Sequence, residues 1–299
     1  MYPRQFEYFA PETLREASLI LRKYKGDAKV LAGGHSLIPL MKLRLASPKY
    51  IVDINRIEGM DYVKKVGNSL RIGALTRYYE IESSKVIKEC CPIITEAVRT
   101  IGDSQVRSRG TLGGNLSHAD PANDLPVVML ALDAKFVVKG LTEPRVIKAS
   151  EFYTDVFTTA LRNSEILTEA RIPLSLSKSS GSFQKFERRA GDFAIVSAAV
   201  QLSLDDRGRC KYAGIGLGAV GPTPIKAKEA EKILLGKAIT EDTILAAAEK
   251  CKEISSPSSD LSGSSEYKRQ MVKVFVSRAL HHASRRIGIA RHHDLHLVN

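Results

Sequence analysis

Two short glycine-rich segments, far apart in the chain, set the strongest limits on how this protein folds. They read Leu31-Ala32-Gly33-Gly34-His35-Ser36 and Thr111-Leu112-Gly113-Gly114-Asn115. Each adjoins an apolar, extended stretch and carries a hydroxyl side chain beside the glycines. Because a residue without a Cβ lets backbone N–H groups approach an anion closely, one such segment predicts a phosphate site. Two of them predict a single ligand with two phosphates, held from both sides.

Glycine pairs are also common in turns that serve only the fold, and each pair taken alone fits that role equally well. Their joint occurrence favours the phosphate interpretation, because Ser36 and Thr111 can donate hydrogen bonds and Arg107 and Arg109 can balance negative charge. His35 has no obvious acidic partner nearby in the sequence. A hydrogen-bonding or packing role is therefore predicted for it, and not a catalytic one.

Composition places the chain among globular proteins and limits its partners. With 299 residues, 43% of them hydrophobic and 26% charged, it can bury two domain cores. The net charge of +12 would attract nucleic acid, anionic lipid or an acidic protein. Lysine and arginine are spread along the whole chain, however, and no basic run alternates with aromatic residues. Nucleic acid is therefore not predicted as a partner, and a basic face that docks on acidic partner subunits explains the charge as well.

The sequence gives no indication of a membrane segment or a metal site. Its apolar runs are too short to span a bilayer and it opens without an apolar signal region, so a reduced, cytoplasmic protein is expected. Cys90, Cys91, Cys210 and Cys251 lack the spacing of a zinc or iron–sulfur site. The histidine-rich ending at residues 291–299 is interpreted as a terminal tail and not as a metal site.

The order of the predicted elements gives an α+β fold. The passage from Gly102 to Asp124 shows hardly any periodicity and is interpreted as a long functional loop. A serine-rich stretch at residues 175–182 marks a domain boundary. Beyond it, two strands and three helices predict a small antiparallel sheet covered by helices. The predicted strands are 28–31, 50–54, 62–66, 70–73, 196–204 and 210–217, and helices are predicted near residue 11, at 37–45, and from residues 76, 85, 223, 240 and 266.

The run Gly216-Leu217-Gly218-Ala219-Val220-Gly221 matches the G-x-G-x-x-G dinucleotide fingerprint letter for letter, but its setting is wrong. The preceding strand is predicted to be half of an antiparallel hairpin, and Pro222-Thr223-Pro224 intervenes before the next helix. These glycines are therefore predicted to serve the close packing of a strand and its exit turn.

Longer stretches around the two glycine pairs carry a resemblance to a known family. Residues 32–44, 111–116 and 121–124 resemble the FAD-binding medium subunits of the molybdenum hydroxylases. The likeness begins at Phe6-Glu7-Tyr8-Phe9-Ala10-Pro11 and continues through residues 214–220 to the helices that follow, so it covers nearly the whole chain.

The resemblance implies a fold with two domains. Residues 1–176 would form a FAD-binding domain of the vanillyl-alcohol-oxidase (PCMH) type, in two α+β parts at roughly 1–55 and 56–176. Residues 177–299 would form a small antiparallel-sheet-plus-helices domain of the kind found at the C-terminus of the CO dehydrogenase flavoprotein.

The resemblance also implies which residues bind FAD, while no catalytic side chain and no metal ligand is predicted. Residues 31–38 and 111–115 would hold the diphosphate and its neighbourhood. Phe193 falls on a loop that approaches the isoalloxazine ring in relatives, and a cation such as Lys185 near the ring would favour its reduction. The implied cofactor-binding residues are Leu31, Ala32, Gly33, Gly34, His35, Ser36, Leu37, Ile38, Ile101, Gly102, Thr111, Leu112, Gly113, Gly114, Asn115, Asp124, Leu167, Lys185 and Phe193.

The implied function is electron transfer within a heteromeric oxidoreductase. Substrate is oxidised on a large molybdenum-cofactor subunit, and electrons pass through the [2Fe–2S] clusters of a small subunit to FAD on this chain and then to an external acceptor. The assembly is expected to be a heterotrimer or a dimer of heterotrimers. Oxidation of an aldehyde of the glyceraldehyde type is the expected reaction.

Three other functions stay open on the sequence. The chain could be the medium subunit of a carbon monoxide dehydrogenase or of a xanthine dehydrogenase-like complex. It could be a stand-alone flavin reductase of the same fold, although its C-terminal part offers no convincing Ser or Glu as the general acid. It could also be a basic binding module without a cofactor.

Overall fold

The computed structural model describes residues 2–174 and 178–288 and confirms the predicted α+β fold. The predicted domain boundary between residues 176 and 177 and the histidine-rich ending lie outside the described residues. None of the described helices has both the length and the apolar character needed to cross a bilayer.

A small parallel sheet near the N-terminus positions the first glycine pair. Its elements and the helices beside it are β1 (Glu7–Phe9), α1 (Leu14–Tyr24), β2 (Ala28–Leu31), α2 (Leu37–Lys42) and β3 (Tyr50–Asp53). The strand order is β1–β3–β2, with Leu31 opposite Asp53. Helix α1 begins where the Thr13 hydroxyl accepts the Glu16 N–H, and it buries Ala17 and Leu21. Because β2 ends level with β3, the glycine pair leaves the sheet beside the end of β3.

A five-stranded antiparallel sheet follows, in the order β4–β5–β10–β6–β7. The elements are β4 (Val63–Val66), β5 (Ser69–Gly73), β6 (Lys135–Lys139), β7 (Arg145–Lys148), β8 (Tyr153–Asp155), β9 (Thr158–Thr159) and β10 (Ile166–Pro173). Strands β4 and β5 form the predicted hairpin, with Gly67 at φ +55° in its turn. Leu70, Ile72 and Phe136 are fully buried and form part of the main core.

Short helices fill the region between these strands, and the last four of them, beginning at residues 104, 112, 124 and 149, were not predicted from the sequence. The helices are α3 (Tyr78–Ser83), α4 (Lys85–Cys90), α5 (Pro92–Arg99), α6 (Ser104–Arg109), α7 (Leu112–His118), α8 (Asp124–Ala131) and α9 (Ala149–Phe152). The prediction of a long loop over residues 102–124 is therefore wrong. The side chains of Asp103 and Thr111 cap α6 and α7 and help to fix where these helices begin. Helices this short contain too few turns to show a periodicity in the sequence.

The C-terminal part is the predicted antiparallel sheet with helices. Its elements are β11 (Ser179–Phe186), β12 (Val196–Leu204), β13 (Cys210–Gly218), β14 (Ile225–Lys226), α10 (Lys228–Leu234), α11 (Glu241–Ile254) and α12 (Ser265–Ile287). The strands pair in the order β11–β12–β13–β14. Helices α10, α11 and α12 share a second core with β12 and β13.

The glycines of β13 let helix α8, which is buried along its whole length, pack directly on this sheet. A Cβ at Gly214 would collide with the carbonyl oxygen of Ala131, and a Cβ at Gly216 would collide with that of Val127. This close approach of two backbones confirms that the G-x-G-x-x-G run serves packing. It also joins the two parts of the molecule.

Candidate functional site

The first glycine segment, residues 31–38, is an open turn between β2 and α2. Gly34 has φ +78°, a conformation that favours glycine, and the Ile38 N–H closes the turn on the Gly34 carbonyl at 3.0 Å. Across the described part of the chain, the backbone N–H groups of residues 33–37 have no protein acceptor. A run of consecutive free donors beside a positive-φ glycine can bind an anion.

The second glycine segment, residues 111–115, is the first turn of α7 and not a loop. The Thr111 Oγ1 accepts the Gly114 N–H at 3.1 Å, and the Gly113 N–H donates to the carbonyl of Ala74 at 2.7 Å. A Cβ at Gly113 would lie 2.6 Å from the Cβ of Ala74. These glycines therefore allow close packing, and both of their N–H groups already have partners inside the protein.

Folding brings the two glycine segments into contact. A Cβ at Gly33 would lie 2.5 Å from the carbonyl oxygen of Arg109 and 2.9 Å from the Cα of Gly110, just before the second segment. A Cβ at Gly114 would lie 3.8 Å from that of Ala32. The convergence expected from the sequence is thus present in the structure.

Two residues that the sequence analysis missed connect these segments. Asn55 Nδ2 donates to the Ala32 carbonyl at 2.9 Å. The guanidinium of Arg77 donates to Asn55 Oδ1 at 2.6 Å and to the Arg109 carbonyl at 2.5 Å. The only local signal was the Asp53-Ile54-Asn55 sequence at the end of β3, where the Asn55 N–H binds Asp53 Oδ1 at 2.9 Å in an Asx turn.

Burial and neighbouring charges shift the pKa values of two charged groups near the first segment, Asp53 and Arg77. Burial alone would raise the pKa of Asp53, but hydrogen bonds from Tyr8 and Asn55, with the nearby Arg109 charge, outweigh it and hold that pKa below its usual value. Burial lowers the pKa of Arg77, and the positive charge of Arg109 lowers it further. Arg77 and Arg109 therefore repel each other, which an anion between them would relieve.

A buried ionic cluster lies at the other end of α6. Only 4% of the Lys185 side chain is exposed, and its Nζ lies 2.9 Å from Asp124 Oδ2, 3.1 Å from Glu187 Oε2 and 3.0 Å from the Thr100 carbonyl. Burial raises the pKa of Asp124 to about 6, although Lys185 and Thr100 oppose the rise. Asp124 Oδ1 is buried and has no partner among the described residues, so it is an acceptor that a ligand donor can satisfy.

The loop that carries Phe193 lies against the same cluster. A Cβ at Gly191 would lie 2.8 Å from the carbonyl oxygen of Gly102, and Phe193 itself is 63% exposed. Arg107 donates to the carbonyls of Ile101 and Gly102, both at 3.2 Å, so it holds this corner and is not free to balance a phosphate at the glycine segments. Helix α6, whose six residues span roughly 9 Å, lies in the chain between the two groups of site residues.

Two further residues of the predicted site, Leu167 and Asn115, have different surroundings. Leu167 is 4% exposed and its side chain belongs to the main core. Its neighbour Thr168 accepts the Ala74 N–H at 2.9 Å, which places the β10 backbone close to α7. Asn115 Oδ1 is buried without a hydrogen-bond partner in the described residues, as Asp124 Oδ1 is.

Comparison with known proteins matches both parts of the chain to one family. Residues 4–175 match the model for the FAD binding domain in molybdopterin dehydrogenase, and residues 181–283 match the CO dehydrogenase flavoprotein C-terminal domain. The glyceraldehyde dehydrogenase medium chain of Sulfolobus acidocaldarius is 41% identical over 279 residues, which cover 93% of this chain and 98% of that protein. The carbon monoxide dehydrogenase medium chain of Hydrogenophaga pseudoflava is 37% identical over 283 residues, 95% of this chain and 98% of that one.

The likeness extends to a solved structure. A chain of carbon monoxide dehydrogenase from Hydrogenophaga pseudoflava superposes with a TM-score of 0.93 and 39% identity, covering 96% of this chain and 99% of that chain. Sequence and fold therefore agree over almost the full length. This chain belongs to the family of FAD-binding medium subunits of the molybdenum hydroxylases.

Proposed function

We propose that this chain carries FAD on its two glycine segments and transfers electrons within a molybdenum hydroxylase that oxidises an aldehyde. The observation that carries the proposal is the run of free N–H groups at residues 33–37, set against the second glycine segment. Free backbone donors, glycines that leave room for close approach and the Arg77–Arg109 pair all fit a diphosphate.

We assign the diphosphate to the first segment and the flavin end to the cluster beyond α6. Among the described residues, the Ser36 side chain has no hydrogen-bond partner, so its hydroxyl can donate to an anion. The Oδ1 atoms of Asn115 and Asp124, which are unpaired in the same part of the chain, can accept from ligand hydroxyls. The proposed FAD-binding residues are Leu31, Ala32, Gly33, Gly34, His35, Ser36, Leu37, Ile38, Ile101, Gly102, Thr111, Leu112, Gly113, Gly114, Asn115, Asp124, Leu167, Lys185 and Phe193.

When bound, FAD supplies the redox chemistry. The protein fixes its position and its electrostatic surroundings. Asp124 and Glu187 hold the Lys185 ammonium in a buried position, where a charge acts more strongly than in water. The exposed Phe193 ring and the half-buried Ile101 can cover a ligand at Gly102 and limit its contact with water.

The proposed partners are a large subunit with the molybdenum cofactor, where substrate is oxidised, and a small subunit whose [2Fe–2S] clusters pass electrons to this chain. The 41% identity to the glyceraldehyde dehydrogenase medium chain supports an aldehyde as the substrate. Cysteines 90, 91, 210 and 251 are all free, which supports a reducing, cytoplasmic location. The family matches at 4–175 and 181–283 support a FAD-binding domain at 1–176 and a C-terminal domain at 177–299. The two separate sheets of the first domain support its division into parts 1–55 and 56–176.

Co-expression of the chain with its neighbouring genes tests this function. We expect a yellow complex with two further polypeptides that reduces a dye with glyceraldehyde as the donor. A chain that is colourless after excess FAD has been removed by desalting would contradict cofactor binding. A chain that purifies alone although all flanking genes are expressed would contradict the assembly. If the complex reduces the dye with carbon monoxide and not with aldehydes, carbon monoxide is the substrate and the aldehyde proposal is wrong.

A further inference from the structure

We propose that Arg77 and Asn55 are positioning residues that hold the first glycine segment in the shape that binds the diphosphate and lock it to the start of the second. The inference rests on the proposed function. Both residues act through backbone carbonyls, Asn55 through that of Ala32 and Arg77 through that of Arg109, and their side chains bind each other.

Asn55 sets the direction of the donors in the first segment. In a trans peptide, the carbonyl of one residue and the N–H of the next point in opposite directions. The bond from Asn55 Nδ2 to the Ala32 carbonyl therefore turns the Gly33 N–H away from Asn55, toward the free side of the segment. Asn55 is itself fixed by Asp53 Oδ1, which accepts from Nδ2 at 2.5 Å and from the backbone N–H at 2.9 Å.

Arg77 fixes the distance between the two segments. Its planar guanidinium binds Asn55 Oδ1 with Nη2 and the Arg109 carbonyl with Nη1, so one rigid group spans both acceptors. The Arg109 oxygen is also the atom that a Cβ at Gly33 would touch, at 2.5 Å. Three hydrogen bonds therefore join Ala32, Asn55, Arg77 and Arg109 in a continuous chain, which spans the contact between Gly33 and the Arg109 carbonyl.

The charge of Arg77 adds a second reason for this assignment. Arg77 is half-buried next to Arg109, and each of the two cations disfavours the other. A structural brace alone does not need a second cation beside it. Next to a diphosphate, both charges of Arg77 and Arg109 are stabilised, because the anion offsets their repulsion.

The test measures FAD affinity of the full chain by flavin fluorescence for Arg77→Met, Arg77→Lys and Asn55→Ala. We expect Arg77→Met and Asn55→Ala each to weaken FAD binding about tenfold or more, as when a buried acceptor loses its donor. The double variant is expected to be little weaker than the worse single one, because both act through one connection. Arg77→Lys keeps the charge but cannot span two acceptors, so it is expected to recover little.

Arg145→Met is the matched control. The Arg145 guanidinium also joins a side chain to a backbone carbonyl, Glu165 at 2.7 and 2.8 Å and Ala160 at 2.5 Å, but away from the glycine segments. It is expected to lower stability about as much as Arg77→Met and to leave FAD affinity unchanged. Hydrogen exchange separates positioning from a general loss of stability. FAD should protect the amides of residues 33–37 in the unsubstituted chain and in Arg145→Met, and it should protect them much less in Arg77→Met.

The outcomes separate the inference from the function beneath it. If the unsubstituted chain takes up no FAD, the proposed function is wrong and the inference falls with it. If that chain binds FAD and Arg77→Met binds equally well, only the inference is overturned. If Arg77→Met does not fold, Asn55→Ala and Arg77→Lys decide: full affinity in either of them overturns the inference, and a shared loss supports it.

Discussion

The two glycine segments look alike in sequence and differ in what their glycines do. In the first, the N–H groups of residues 33–37 find no acceptor within residues 2–174 and 178–288, and Gly34 supplies the positive φ of an open turn. In the second, the N–H groups of Gly113 and Gly114 are bound by Ala74 and Thr111. One segment offers donors to a ligand, whereas the other lets a helix begin very close to the end of β5.

The difference separates two reasons for which a chain keeps glycine. A glycine that binds a ligand through its N–H must leave that group unpaired, whereas a glycine that permits packing is surrounded by protein atoms on the side where a Cβ would lie. The first kind affects affinity when it is replaced. The second kind affects stability.

Replacement of Gly113 is expected to have the largest effect. In Gly113→Val the new side chain would collide with Ala74 at the end of β5, so we expect the free energy of unfolding to fall by about 3 kcal/mol, as for an overpacked core. Urea unfolding of the chain without FAD measures it. Gly26→Ala is the control, because in the described structure no atom beyond its two chain neighbours lies within 4 Å of a Cβ there. Equal stability of both variants would contradict the packing role.

Replacement of Gly34 is expected to act mainly on FAD. Gly34→Ala forces a side chain into φ +78°, which costs about 1–2 kcal/mol, and its Cβ would meet side-chain atoms of Ile38 at 2.7 Å and Leu31 at 3.3 Å, both of which can shift. We therefore expect a modest loss of stability and a large loss of bound FAD after desalting. Full FAD occupancy would remove the first segment from the proposed site.

The hydroxyl residues Ser36 and Thr111, one in each segment, test the same difference with smaller expected effects. Thr111→Ala removes the cap of α7 and should cost about 1 kcal/mol of stability, which Thr111→Ser restores. Ser36→Ala removes a hydroxyl with no partner, so it should leave stability almost unchanged and weaken FAD binding. Urea unfolding and FAD titration of all three variants check this. A reversed pattern would exchange the roles of the two segments.

The smallest expected effects are two pH dependences of opposite sign. The pKa of Asp53, beside the first segment, is held below its usual value, so its contribution is present at neutral pH and is lost as the pH falls through the folded pKa. Burial raises the pKa of Asp124 to about 6, so its contribution is full below about pH 4, the unfolded value, and is lost as the pH rises through about 6.

Urea midpoints from pH 3.5 to 7.5 measure both dependences. Asp53→Asn should reduce the loss of stability on acidification, and Asp124→Asn should reduce the loss between pH 4 and 7. Identical pH profiles for the two variants would show that the two carboxyl groups do not differ in this way.

Much of the fold could be predicted because its signals are local. The hairpin around Gly67 and the strands β2, β3, β12 and β13 follow from alternation and turn residues, and the structure places them within a residue or two of the prediction. The packing role of Gly216 followed from its setting in a hairpin. Helices α6 and α7 were missed, although their capping residues Asp103 and Thr111 were visible in the sequence.

The site was harder to predict because it depends on contacts between distant segments. The resemblance pointed to the glycine pairs, but nothing local distinguishes free N–H groups from paired ones. Asn55 and Arg77 bridge segments that come together only in the folded chain, so no spacing reveals them. Lys185 reads as a surface lysine in a strand, and only its contacts with Asp124 and Glu187 show that it is buried.

The direct contact of helix α8 with strand β13 has a mechanical consequence. The carbonyls of Ala131 and Val127 fill the space where side chains at Gly214 and Gly216 would stand, so at these two positions backbone lies directly against backbone. Sliding of the two halves against each other would drive backbone into backbone. We therefore expect the distance between the two halves to stay constant during function, and the turn that carries the exposed Phe193 to move more easily.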